Sequence, residues 1–309
     1  MGGSGGGGYF VDRTPEQIKS EIRKEEERTT DQAFDTETAE AIGQLLAQAN
    51  SRDADATSKA LDGIKRVLEG DIEGSVDPRF GGSVRKHTFV DGISDVDTLL
   101  ILRDPTLKTK TPQRVLDYFE RELRRELPEW EVSRGKLAIT LRKDGLELQV
   151  LPAIRADGRT RIPAARGDRW SGINPEAFFK KLTETNARYG GKVVPVIKLA
   201  KIINDRQPEP LQLTGYHLES LAIEAFKGYT GVLNPKAMLV HLFDRSRTLV
   251  LSPIKDRTGQ SIHVDDYLGP ANSEDRKAVS AVLDRVSRRM KNADVLRSKE
   301  QWMELFGEE

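Results

Sequence analysis

Cysteine is missing from all 309 residues, and with it go disulfides, thiolate zinc sites, iron–sulfur clusters and cysteine nucleophiles. Any metal must sit on oxygen or imidazole. Histidine is scarce too: His87, His217, His241 and His263 show neither an HExxH spacing nor another close pairing, which argues against a zinc hydrolase. No serine sits in a nucleophile elbow and no glycine-rich loop ends in Gly-Lys-Ser/Thr, so acyl transfer and P-loop ATPase chemistry lack support. Net charge is absent as well. The 49 basic and 49 acidic side chains cancel, which disfavours stable, sequence-blind binding to long nucleic acid while leaving room for a local basic groove. No apolar run approaches the roughly 18 residues of a membrane span. The opening MGGSGGGG lacks the basic and apolar regions of a signal peptide, so a cytoplasmic protein without a membrane partner is expected.

What is present is a well-hydrated globular chain, 37% apolar and 32% charged. At about 150 residues per domain, its length predicts one bilobal unit or two domains. Residues 1–13 read as a glycine-rich tag or disordered start. A helical pattern follows over 14–69, opened by the start signal Thr14-Pro15-Glu16-Gln17. Over 80–102 the pattern changes to a glycine turn, a short helical or looped stretch and a strand at 96–102. An amphipathic helix is expected at 111–127, with Val115, Phe119 and Leu123 on one face. Strand-like runs come next at 130–132, 136–141 and 146–151, and Lys143-Asp144-Gly145 forms a hairpin turn between the last two. Helices are expected at 175–188, 193–204, 214–229, 235–246 and 274–292. The fold class is α+β: a small mixed sheet with an N-terminal helical spine (14–172) and a C-terminal helical lobe (173–309), with a cleft between them.

Chemistry concentrates in a few stretches. Asp95 and Asp97 flank Val96 at the start of an apolar strand, where side chains two apart point to one face about 7 Å apart and can converge on one or two magnesium ions. Taken alone, an Asp-x-Asp is more often an exposed acidic turn. Twelve residues upstream stand Gly82, which permits close backbone approach, and Ser83, whose amide and hydroxyl can hold the outer phosphates of a triphosphate. Arg155, Arg159, Arg161, Arg166 and Arg169, with Trp170, make a basic loop region that reads either as a nucleic-acid or acceptor contact or as a solvated loop diluted by Asp157 and Asp168.

The stretch GGSVRKHTFVDGISDVDTLLIL resembles the signature of the DNA polymerase beta-like nucleotidyltransferases, and in particular the oligoadenylate synthetase and cGAS-like branch with its bacterial cGAS/DncV-like cyclic oligonucleotide synthases (CD-NTases). ELQVLPAIR, VVPVIKLAKIIND, TGYHLESLAIEAF and LSPIKDRTGQSIHVDDYLG carry the same resemblance, which spans about residues 80–269. It implies the polymerase beta-like core packed against a helical lobe. It also implies magnesium or manganese on Asp95 and Asp97, the triphosphate at Gly82 and Ser83, Lys198 on the phosphates and Tyr216 stacked on a base. Where the family carries its third carboxylate, this chain has Gln149. Glu147, two residues upstream on the same strand face, is assigned as the third acid and metal ligand, and Gln149 as a nucleotide or supporting contact.

The activity so implied is nucleotidyl transfer between nucleoside triphosphates, closing a cyclic di- or oligonucleotide second messenger with release of pyrophosphate, in bacterial antiphage (CBASS) signalling. Expected partners are the triphosphates and the effector and regulatory proteins of a defence operon. Two alternatives stand beside it: transfer to an RNA 3′ end or another hydroxyl acceptor, and a catalytically silent nucleotide-binding module, to which Gln149 lends weight.

Overall fold

The computed structural model describes residues 14–50, 76–80, 96–102, 109–135, 138–144, 146–156, 159–163, 169–173, 175–255 and 264–308. A long helix, α1 (Pro15–Asn50), leads into the strands β1 (Val76–Phe80) and β2 (Val96–Leu102), and α2 (Pro112–Glu126) follows. The strands β3 (Glu131–Arg134), β4 (Ile139–Lys143), β5 (Leu146–Ala156), β6 (Arg159–Pro163) and β7 (Trp170–Ile173) complete a seven-stranded mixed sheet. Its order is β1-β2-β5-β4-β3, with β6 and β7 continuing from the far end of β5. Among the described strands β2 and β5 run parallel and the other pairs are antiparallel.

The pleat of β5 decides what each face does. Leu148, Val150 and Ile154 are buried on one side together with Ile139, Leu141 and Val132 of the neighbouring strands. Against them lie Val115, Leu116, Phe119 and Leu123, the apolar stripe of α2, spaced as an amphipathic helix requires. Successive strand residues alternate sides, so the odd positions of β5 belong to the opposite face, where Leu151, Ala153 and Ile162 form a smaller apolar cluster. Asp144 turns the β4–β5 hairpin with φ 51°, a left-handed conformation that Asp tolerates better than most residues.

The region read as a basic loop is a hairpin of strands instead. Arg155 ends on β5, Arg159 and Arg161 lie on β6, and β7 begins at Trp170. Trp170 packs partly buried against the core under α2, and its indole N–H donates to the Lys110 carbonyl at 3.0 Å, so the ring serves packing. Arg166, Asp157 and Asp168 lie outside the described residues.

Beyond the sheet the chain is helical: α3 (Pro175–Arg188), α4 (Val193–Asp205), α5 (Gly215–Ala225), α6 (Pro235–Leu249), α7 (Glu274–Val295) and α8 (Lys299–Glu304). Local caps set their starts. Asn234 accepts from the Ala237 amide at 2.7 Å ahead of Pro235, and Ser273 accepts from the Arg276 amide ahead of Glu274 and Asp275. These helices share one large apolar core that also takes in Phe34, Ile42 and Leu45 of α1. The long first helix thus rests on α4, α6 and α8, and Lys236 ties it down through Asp35 at 2.6 Å while also reaching Asp294 at 2.8 Å. Among the described residues no helix is long and apolar enough to cross a membrane.

Candidate functional site

Gly82, Ser83 and Asp95 lie outside the described residues, as do His87 and His263. Asp97 and Glu147 are placed by their backbone. In the parallel β2–β5 register Asp97 stands directly across from Gln149, and Val96 across from Leu148. Since Leu148 and Val150 are buried against α2, positions 97, 147 and 149 share the opposite face of the sheet, at the starts of two adjacent strands. Adjacent strands stand about 4.8 Å apart and a two-residue advance covers about 7 Å, so these backbone positions are near neighbours on the sheet. Gln149, partly buried, holds the position facing Asp97, and Glu147 lies one pleat nearer the hairpin turn. Across β4 the register partner of Glu147 is Arg142, whose guanidinium reaches the Ser133 hydroxyl at 3.4 Å.

A second set of groups gathers in the helical lobe. Tyr216, in the first turn of α5, is 37% exposed and lines a cleft of about 290 Å³ between α3, α5 and the residues Ile254, Lys255 and Val264. That volume lies at the lower end of small-molecule pockets and suits a base and its sugar better than a whole triphosphate. Phe178 of α3 packs against Tyr216 with ring centroids 4.5 Å apart at 51°, and Ser220 donates to the Tyr216 carbonyl at 2.8 Å. Lys181, Glu224 and Lys255 bring charge to the rim. A flat ring with polar groups around it is what stacking plus edge recognition of a nucleobase needs.

Lys198 is not among the residues lining that cleft. It is half-buried on α4, and burial first, then the nearby Lys201 cation, hold its ammonium below the ordinary lysine value. One turn further on, Lys201 is buried in an ion pair with Glu219 at 3.1 Å, beneath the start of α5: a Cβ on Gly215 would sit 3.4 Å from its Nζ. His217, next to Tyr216, is fully buried. Its Nδ1 lies 2.9 Å from the Tyr267 hydroxyl and its Nε2 3.5 Å from Asp265 Oδ2. Burial drives its pKa down to about 4, with Arg276 adding to the effect and Asp265 opposing it, so the imidazole is neutral near pH 7. His241 bonds the Ala225 carbonyl at 2.9 Å, a packing role.

Sequence reasoning placed Tyr216 at a nucleotide and left His217 beside it. It missed Phe178, Lys181, Glu224 and Lys255. Phe178 follows Pro175 at the opening of a helix and reads as core; only the tertiary fold brings it to Tyr216.

Residues 42–186 match the family model of the Second Messenger Oligonucleotide or Dinucleotide Synthetase domain, SMODS. No curated protein is significantly similar to the chain. Among solved structures it is similar to CdnC of E. coli MS115-1 with ATP, at a TM-score of 0.68 and 14% identity, covering 87% of this chain and 98% of that one. The complex of CdnC with HORMA-deltaN gives 0.65 and 14% over 89% and 96%. Escherichia coli DncV bound to 3′-deoxy GTP gives 0.61 and 13% over 92% and 88%. The fold is therefore that of the bacterial CD-NTases, the polymerase beta-like architecture expected from the motifs.

Proposed function

We propose that the chain is a bacterial cGAS/DncV-like nucleotidyltransferase that joins nucleoside triphosphates into a cyclic di- or oligonucleotide second messenger with release of pyrophosphate, a reading supported by the synthetase-domain match over residues 42–186 and by the shared fold. The observation that carries this reading is the β2–β5 register, which sets Asp97 beside Gln149 and near Glu147 on the sheet face turned away from the α2 core. Residues 14–172 would form the catalytic lobe and 173–309 the helical lobe. Asp95, Asp97 and Glu147 would hold magnesium or manganese, which supplies acidification of a ribose hydroxyl and neutralisation of the departing pyrophosphate. Gly82 and Ser83 would cradle the triphosphate, Lys198 would counter its charge, and Gln149 would orient the nucleotide by its amide.

In the helical lobe, Tyr216 and Phe178 offer apolar ring surface for a base, worth about 1–3 kcal/mol per stacked base. Lys181, Glu224 and Lys255 supply donors and an acceptor at the base edge. The absence of net charge over the whole sequence favours nucleotide acceptors over a long RNA. CdnC is found in complex with HORMA-deltaN, and regulatory and effector proteins of an antiphage operon are the partners we propose for this chain.

The test is product analysis with ATP, GTP, CTP and UTP and magnesium or manganese. A phosphatase-resistant product accompanied by pyrophosphate supports the reading. A lengthened RNA added to the same reaction favours tailing, and triphosphate binding without pyrophosphate release favours a silent module. Glu147→Ala and Gln149→Ala compared in that assay assign the third acid: full activity in Glu147→Ala removes Glu147 from the role.

A further inference from the structure

The cleft at Tyr216 has two walls that are far apart in sequence, and a set of polar contacts ties them together. One wall is α5, with Tyr216, Ser220, Ile223 and Glu224; facing it are Ile254, Lys255 and Val264. His217 adjoins Tyr216 on the first wall, and Asp265 adjoins Val264 on the second. Asp265 is fully buried. Its Oδ1 accepts from the Ile254 amide at 2.9 Å, its Oδ2 accepts from Arg276 at 2.7 Å, and its carbonyl accepts from Arg276 at 3.1 Å. Arg276, also fully buried at the start of α7, donates in addition to the carbonyls of Gly269 and Val250, each at 2.9 Å. The Val264 amide donates to the Ile254 carbonyl at 3.1 Å, so the second wall is clamped at its base.

Tyr267 closes the chain onto the first wall. The Thr214 amide donates to its hydroxyl at 3.3 Å, and Thr214 caps α5 by accepting from the His217 amide at 3.2 Å. With that amide as donor, the Tyr267 O–H is left to donate to His217 Nδ1, 2.9 Å away. The imidazole proton then belongs on Nε2, facing Asp265 Oδ2 at 3.5 Å. His217 Nε2 makes no hydrogen bond, so it meets Asp265 by proximity alone, and Tyr267 carries the direct hydrogen-bonded link to α5.

We propose that Tyr267, through His217 and the Thr214 cap, is a positioning residue for nucleotide binding: the Arg276–Asp265 clamp and the Tyr267 bonds to α5 together fix the separation of the two walls and with it the fit of the base against Tyr216. This rests on the reading of the cleft as a base site. Tyr267 is 47% exposed, so removing only its hydroxyl leaves the ring in place and the core intact.

The experiment measures binding of ATP, GTP, CTP and UTP, each with magnesium, and then kcat and KM for those that bind, in wild type, Tyr267→Phe, His217→Asn and His217→Leu. The expected result is a rise of about tenfold in Kd and KM for Tyr267→Phe with kcat within about twofold, the scale of one net hydrogen bond. His217→Asn keeps an acceptor near the Nδ1 position and binds closer to wild type than His217→Leu. Unchanged KM in a folded Tyr267→Phe overturns the proposal, as does a loss of thermal stability with binding intact. If wild type binds none of the four nucleotides, the base-site reading fails and this inference with it; wild-type binding that Tyr267→Phe leaves unaltered sinks this inference alone.

Discussion

The Lys201–Glu219 pair is the most demanding test of how α5 is held in place. Their side chains are 6% and 1% exposed and meet at 3.1 Å between α4 and α5. At about 3 Å and an effective dielectric of about 20, their attraction is on the order of 5 kcal/mol, and the cost of desolvating both groups consumes much of it. The pair as a whole therefore adds little net stability, whereas removing one member takes the ion-pair partner from a buried charge. Lys201→Met or Glu219→Gln alone should cost about 3–5 kcal/mol, while the double replacement Lys201→Met with Glu219→Leu should cost less than either. With a urea dependence of about 2–3 kcal/mol per molar, each single variant lowers the unfolding midpoint by roughly 1–2 M. The assay is urea unfolding of all four proteins followed by circular dichroism and fluorescence, whose coincidence tests two-state behaviour. Single variants within about 1 kcal/mol of wild type, or a double variant equal to the sum of the singles, would refute the reasoning.

The neutral state of His217 gives a pH dependence with a definite sign. Its pKa is about 4 in the folded protein against an ordinary 6.5, with Asp265, Arg276 and Tyr267 facing the ring, so between those values the unfolded chain binds the extra proton. Stability is whole above about pH 6.5 and falls toward pH 4 by up to about 1.4 kcal/mol per unit. His217→Asn should flatten that slope in urea midpoints at pH 7 and pH 5, and an equal slope in both proteins contradicts it. Phe119, fully buried between α2 and the sheet, should cost about 3–5 kcal/mol as Phe119→Ala, read by the same unfolding assay; less than 1 kcal/mol would mean that the α2 face is not a core.

Much of this architecture is written locally. The strand at 96–102, the helix at 175–188 and the β4–β5 hairpin stand where apolar periodicity, Pro175 and Asp144 place them. The strand β1 was not legible, because Pro78 sits in its middle and cannot donate to a ladder. It is tolerated since, among the described strands, β1 lies at the sheet edge and pairs with β2 alone. The pair β6–β7 escaped for a different reason: Arg159, Arg161 and Pro163 mask a strand that rests on the end of β5. The helix expected over 214–229 ends at Ala225, with Phe226 capping back onto the Ala222 carbonyl and Gly228 at φ 68° soon after. At the site, the Asp-x-Asp pattern was visible as a motif, but the facing of Asp97 and Gln149 is a fact of strand register between residues 52 apart. The contacts of His217 with Tyr267 and Tyr216 with Phe178 join segments that no local pattern connects.

The proposed metal site at the starts of β2 and β5 is tested most directly by pyrophosphate release from Asp97→Asn. The variant keeps the shape of the residue and removes its charge. At a thermal stability and nucleotide affinity close to wild type, turnover should fall by about a thousandfold or more, as loss of a group that stabilises charge in the transition state requires. Turnover within about tenfold of wild type would show that the chemistry is carried elsewhere.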